Sequence, residues 1–264
     1  MAFSSFSCGL ARGRPEAHLL IMKDKRAPVD AGRRADVSTP RSDVGVVEAF
    51  VRQARALAQA RKESGRLILA LDANMSRQPT WDLACEIQAE MFDAVGSTGR
   101  LDVQLVYYRG FGECAASRFV SDTAALKRLM TRIECRGGRT QIGKVLSHAL
   151  KENARGRVNA LVFIGDAVEE SVDELAQRAG ELGLKGIPVF LFQEGRDPAA
   201  TRAFREIARL SHGAWFRFDR ASAGTLAKLL GAVAVYATGG LPALEARGRA
   251  EDHLMIEHLS GRKR

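Results

Sequence analysis

Leu67-Ile68-Leu69-Ala70-Leu71-Asp72-Ala73-Asn74-Met75-Ser76 sets the architecture of the chain. Five apolar residues stop at a carboxylate, and a polar side chain then recurs at every second position. An unbroken apolar run of this kind suits a strand buried on both faces, as in the middle of a parallel sheet. Asp72 then falls at the carboxyl end of the strand, the edge where open α/β sheets form their ligand crevice. Asp72, Asn74 and Ser76 offer oxygen atoms in close succession, the donor type that hard cations such as Mg²⁺ select.

Downstream, Pro79 opens a segment in which Leu83, Ile87, Met91 and Val95 step by four, predicting one helix with a single apolar stripe. A strand follows over 101–108. The Gly110–Gly112 turn leads to a short strand at 117–120, expected as an antiparallel edge. Leu126, Leu129, Met130 and Ile133 predict a helix over 122–134. Gly137-Gly138-Arg139-Thr140 is a glycine-rich loop ahead of a helix carrying Ile142, Val145, Leu146 and Ala149. The strand at 158–164 halts at Gly165-Asp166, repeating the design of the first. Helices over 173–184, 198–210 and 222–236 alternate with strands over 187–192 and 215–218. Such alternation predicts an α/β fold with three layers: a doubly wound, mostly parallel sheet with one short antiparallel edge strand, covered by helices on both faces.

This domain is expected over 66–236. Ahead of it, Val46, Phe50, Ala54 and Leu57 predict an amphipathic helix within 43–65 that packs on the domain. Residues 1–42 lack periodicity and read as a disordered tail, with Met22 a candidate translation start. Gly239, Gly240 and Pro242 mark a break, so 237–264 is expected to be a tail. The chain has 264 residues, 46% of them apolar and 27% charged, enough for a sizeable core. No run of about 20 apolar residues is evident, so no membrane span is expected. Cys8, Cys85, Cys114 and Cys135 show no zinc spacing, and a reducing cytoplasm suits them. The formal net charge of +9 is spread along the chain without a recognition motif, which argues against nucleic acid as the partner.

The sheet order places three segments at one rim: Asp72, Asn74 and Ser76 after one strand, Thr140 before a helix, and Asp166 after another strand. Two carboxylates, two hydroxyls and an amide oxygen suit the octahedral oxygen shell of Mg²⁺, with a position left open for an incoming carboxylate. The same Asp72 and Asn74 could instead cap loops by bonding backbone N–H groups.

Asp72-Ala-Asn74-Met-Ser76, the distant Thr140 in Gly-Gly-Arg-Thr-Gln-Ile-Gly and the distant Asp166 in Phe-Ile-Gly-Asp together resemble the metal-ion-dependent adhesion site of von Willebrand factor type A (VWA) domains. The resemblance covers roughly residues 67–230. It implies a divalent ion, Mg²⁺ or Mn²⁺, that captures an acidic group of a partner protein. Ser76 and Thr140 would ligate directly, and Asp72 and Asp166 mainly through water. Asn74 departs from the family's usual Ser. The implied task is that of an intracellular, non-enzymatic adaptor in an assembly. Arg77, Trp81 and Arg139 flank the site as candidate partner contacts, with packing the plainer role for Trp81.

The enzyme alternative is a Mg²⁺-dependent aspartyl phosphatase or phosphotransferase. Asp72 would be its nucleophile, Lys144 or Lys185 its cation and Asp166 its metal ligand. Asn74 stands where that chemistry needs a proton-donating acid. No P-loop lysine follows Gly137-Gly138, and no G-x-G-x-x-G follows the first strand. His148 and His212 are single histidines without a catalytic neighbour in the sequence. Glu169-Glu170 is expected to open a helix, where negative charge suits the amino-end dipole.

Overall fold

β1 (Gly65–Asp72) is the axis of the fold, with every residue but Arg66 buried. A computed structural model describes residues 64–74, 78–96, 98–219 and 222–261, all of them within the unit spanning Val51–Arg264. The tail at 1–42, the Met22 start and all but the last two positions of the helix expected over 43–65 lie outside the described residues. Gly65 begins β1, and it must be a glycine, because a Cβ there would stand 2.6 Å from the Ala237 carbonyl oxygen.

The other strands are β2 (Leu101–Arg109), β3 (Glu113–Val120), β4 (Ala160–Gly165), β5 (Val189–Glu194) and β6 (Ala214–Phe218). They form a sheet in the order β3-β2-β1-β4-β5-β6. All neighbours are parallel except β2 and β3, which form the antiparallel edge. The helices are α1 (Gln78–Ile87), α2 (Ala89–Val95), α3 (Thr123–Met130), α4 (Ile142–Arg155), α5 (Val172–Leu184), α6 (Pro198–Leu210), α7 (Ala223–Arg247) and α8 (Ala250–Leu259). Strand alternation sorts the core into two layers. Leu67, Leu69 and Leu71 pack with Trp81, Met91, Leu126, Val233 and Met255. Ile68 and Ala70 face the other way, onto Val145, Leu175 and Phe204. By the same alternation Asp72 belongs to the α4–α6 face.

Three elements differ from expectation. The helix expected from Leu83 through Val95 is two, because Gln88 tightens the chain between them. Its N–H bonds Ala84 O (3.1 Å), while its carbonyl accepts from Met91 N three residues on (3.3 Å). β3 starts earlier than expected, since Arg109 and Glu113 pair across the hairpin (2.9 Å). α3 stops at Met130, whose carbonyl accepts from Trp81 Nε1 (3.2 Å) and from Ile133 N (3.1 Å).

The largest correction is at the carboxyl end. Residues 237–261 are not a tail but packed helix. Gly239, Gly240 and Pro242 do mark a break, a kink between two helical segments of α7, but a second packed segment follows it. Gly240 takes φ 67°, ψ −161°, and Pro242 opens the second segment, where a missing N–H costs nothing. Beyond the kink Leu244, Asp252 and Met255 are fully buried. Among the described residues one helix is long and apolar enough to cross a membrane. By length and composition α7 qualifies, with 25 residues and a mean hydropathy of 1.4 in its apolar window. Half of that window is buried, and Leu226, Leu230 and Val233 lie in the sheet's core.

Candidate functional site

The strand order reverses direction between β1 and β4, which makes their carboxyl ends the switch point where open sheets form a crevice. Leu71 pairs with Ile164, so Asp72 and Asp166 leave neighbouring strands spaced by about 4.8 Å. Asp72 is nearly buried, and its Oδ1 accepts from Asn74 N (2.8 Å). That oxygen does cap the loop. Asn74 does not: its Oδ1 is buried without a hydrogen-bond partner among the described residues. An unsatisfied buried acceptor costs about 1–3 kcal/mol, so a ligand that used it would recover that cost.

Thr140 reaches the same rim through main-chain bonds. Arg136 N donates to Ala73 O (2.9 Å), tying its loop to the end of β1, and Arg139 N donates to Gly110 O at the hairpin (3.0 Å). Between them Gly138 lies so close to the hairpin that a Cβ would meet Gly110 O at 2.1 Å. The glycines therefore serve close approach rather than flexibility. Thr140 N donates to Glu169 Oε2 and Glu169 N donates to Thr140 Oγ1, both at 3.0 Å. This reciprocal pair joins the loop before α4 to the loop after β4. The Thr80 hydroxyl of α1 also donates to the Glu194 carboxylate at the end of β5, so the start of α1 is pinned to this edge.

The Glu169-Glu170 pair works differently from expectation. Glu170 caps α4 rather than opening α5, its two oxygens accepting from Ile142 N (2.6 Å) and Gly143 N (2.8 Å). A carboxylate there satisfies two orphan donors and suits the helix dipole. Glu170→Ala should lower unfolding stability by about 1–2 kcal/mol, the usual cost of losing such a cap, read from urea melts. A change within the error of the melts would show the cap to be redundant.

Tyr108 completes the rim from beneath. It pairs in register with Asp72 across β2 and β1, and Ala73 N donates to its carbonyl (2.9 Å). Its ring is fully buried and stacks on Phe163 of β4 (6.2 Å, 11°). The hydroxyl faces the Asp72 carboxylate but has no hydrogen-bond partner at ordinary geometry. Burial first, then Asp72, then Glu170 and Asp166 hold the phenol well above the usual tyrosine range.

Of the residues singled out in the sequence, Asp72, Asn74, Thr140 and Asp166 lie on the loops of this edge. Ser76 and Arg77 lie outside the described residues, between Asn74 and Gln78. Arg139 is exposed beside Thr140. Trp81 is corrected: it is 2% exposed, packs in the core and edges against Tyr107 (6.4 Å), so it offers no contact surface. Lys144 donates to Gly112 O and Gln141 Oε1, both at 2.8 Å, which holds it at the hairpin. His148 Nε2 bonds Gln104 Oε1 (2.9 Å), and burial is the chief cause lowering its pKa. Gln104 Nε2 donates to Ser117 O, so its Oε1 accepts and the imidazole donates. His148 is therefore a packing histidine. Sequence reasoning passed over Tyr108, taken as an ordinary strand residue, and Phe111, which is 85% exposed at the hairpin tip. An aromatic between two glycines in a tight turn was the available signal for Phe111.

No protein-family model matches the chain, and no curated protein matches it by sequence. Solved structures do. A von Willebrand factor type A protein from Catenulispora acidiphila aligns with TM-score 0.54 and 17% identity over 67% of this chain and 43% of that one. An aerotolerance-related membrane protein from Bacteroides fragilis aligns with TM-score 0.50 and 18% identity over 62% of this chain and 96% of that one. The fold is that of a von Willebrand factor type A domain. At these identities the likeness is one of fold, and the chain spans under half of the Catenulispora protein.

Among the described residues no cluster of three or more His, Cys, Asp or Glu is disposed to hold a metal ion. A cation at this VWA rim would therefore need the mixed set of carboxylate, amide and hydroxyl oxygens. The residues present fit one, because Asn74, two residues past Asp72, holds a buried carbonyl oxygen that has no hydrogen-bond partner among the described residues. The amide in place of a serine hydroxyl is thus a free oxygen donor.

Proposed function

We propose that this VWA domain is a protein-binding module that holds Mg²⁺ or Mn²⁺ through Asp72, Asn74, Ser76, Thr140 and Asp166 and captures an acidic side chain of a partner, as an adaptor in a larger assembly. The observation that carries the reading is the buried, unpartnered Asn74 Oδ1, on a residue whose backbone N–H holds Asp72. When bound, the ion supplies an unsaturated positive charge for a carboxylate to complete. The protein fixes the donors. Asn74 N–H orients Asp72, and Glu169 orients Thr140 through both its backbone and its carboxylate. Exposed Arg139 and Phe111 border the rim, one favouring an acidic ligand and the other offering apolar contact.

The reading is non-enzymatic. The phosphotransferase alternative needs a lysine beside Asp72; Lys144 is engaged at the hairpin, and Lys185 is exposed at the carboxyl end of α5. Mn²⁺ titration followed by electron paramagnetic resonance tests the site. One ion per chain is expected, with affinity at least about tenfold weaker in Thr140→Ala, since a neutral ligand is lost. Binding that Thr140→Ala leaves unchanged would place the ion elsewhere.

A further inference from the structure

The site as proposed leaves one buried group unexplained. Tyr108 Oη is fully enclosed and has no hydrogen-bond partner at ordinary geometry, although its residue pairs in register with Asp72 and shares its face of the sheet. Its position is fixed on both sides: in register with Asp72 on β1, and stacked on Phe163 of β4 three residues before Asp166. A second partnerless oxygen, Asn74 Oδ1, lies two residues past Asp72. A hydrated cation at this rim would give both oxygens a partner. The amide oxygen ligates, and the phenol serves the water shell.

We propose that Tyr108 is a positioning residue for the cation site. Its O–H donates to the Asp72 carboxylate and its oxygen accepts from a water bound to the ion. This rests on the metal reading above and adds a residue outside the D-x-N-x-S, Thr and Asp constellation. A phenylalanine keeps the ring, and with it the stacking on Phe163, but removes both hydrogen bonds. Tyr107 is the control. It points to the opposite face of the sheet and donates its hydroxyl to Glu113 (3.2 Å).

Mn²⁺ binding is measured on the full chain for the wild type, Tyr108→Phe and Tyr107→Phe. The expected result is an affinity about tenfold lower in Tyr108→Phe, in the range seen when outer-shell partners of a metal site are removed, and no change in Tyr107→Phe. A measurement on the wild type alone guards against misfolding of the variant. The tyrosine ring resonances are followed by NMR as Mg²⁺ is added. Of the three tyrosines, Tyr108 should move, and Tyr107 and Tyr236 should stay. Wild-type affinity in a folded Tyr108→Phe, or a still Tyr108 resonance in protein that binds the ion, overturns this inference alone. A wild type that binds no ion overturns it together with the metal reading.

Discussion

Saturating Mg²⁺ or Mn²⁺ is expected to raise the melting temperature of the wild-type chain, and Asp72→Ala is expected to abolish the rise. A ligand present at a hundred times its dissociation constant stabilises the native state by about 2.7 kcal/mol. For a chain of this size that is a shift of about 5–10 °C. Asp72 is the residue to change because it shares its rim with Asp166 and Glu170, and its nearly buried carboxylate is oriented by Asn74 N–H. In chelator the variant is expected to lose about 1–3 kcal/mol, because Asn74 N–H is left without its buried acceptor. Differential scanning calorimetry with and without chelator separates the two effects. Identical melting of the wild type in ion and in chelator would refute the site.

Asp252→Ala should cost more than any surface change, about 3–5 kcal/mol, the usual penalty for stripping one partner from a buried ion pair. Asp252 has no exposure. It accepts from Arg247 Nε (2.8 Å) and from Arg249 N (2.9 Å), which makes it both the salt-bridge partner and the cap of α8. Its removal leaves the Arg247 guanidinium, 13% exposed, with an uncompensated charge. The melting temperature should fall by about 6–20 °C. Lys228→Ala, which breaks the open pair with Glu251 (3.6 Å), should cost under about 1 kcal/mol. Equal and small losses in both would mean that α8 contributes little to the fold.

The doubly wound sheet was legible because its signals are local. An unbroken apolar run names a central strand, and alternation with four-step helices leaves few topologies. The loops that carry Asp72, Thr140 and Asp166 could be assigned to one edge for the same reason: topology alone places strand ends. What could not be read depends on contacts between distant segments. Trp81 is a core residue because α1 folds back onto Met130, 49 positions away. Glu170 caps a helix 28 residues before it in the chain, where sequence order suggested the helix just after it. Gly240 and Pro242 carry the same local signal whether a loose tail or a packed helical segment follows them. Only the burial of Leu244 and Met255 distinguishes the two outcomes.

The loops after β1, before α4 and after β4 are bound to one another by backbone N–H groups, through Ala73 O, Thr140 and Glu169. A rim braced in this way cannot easily dilate. Mg²⁺ demands a near-ideal octahedron with short bonds, whereas Ca²⁺ takes more ligands at longer and more variable distances. On the metal reading, discrimination between the two ions therefore lies in the stiffness of the frame rather than in the identity of its donors. On that reading the glycine at 138, which lets the loop press against the hairpin, would be as much a part of ion selectivity as any oxygen.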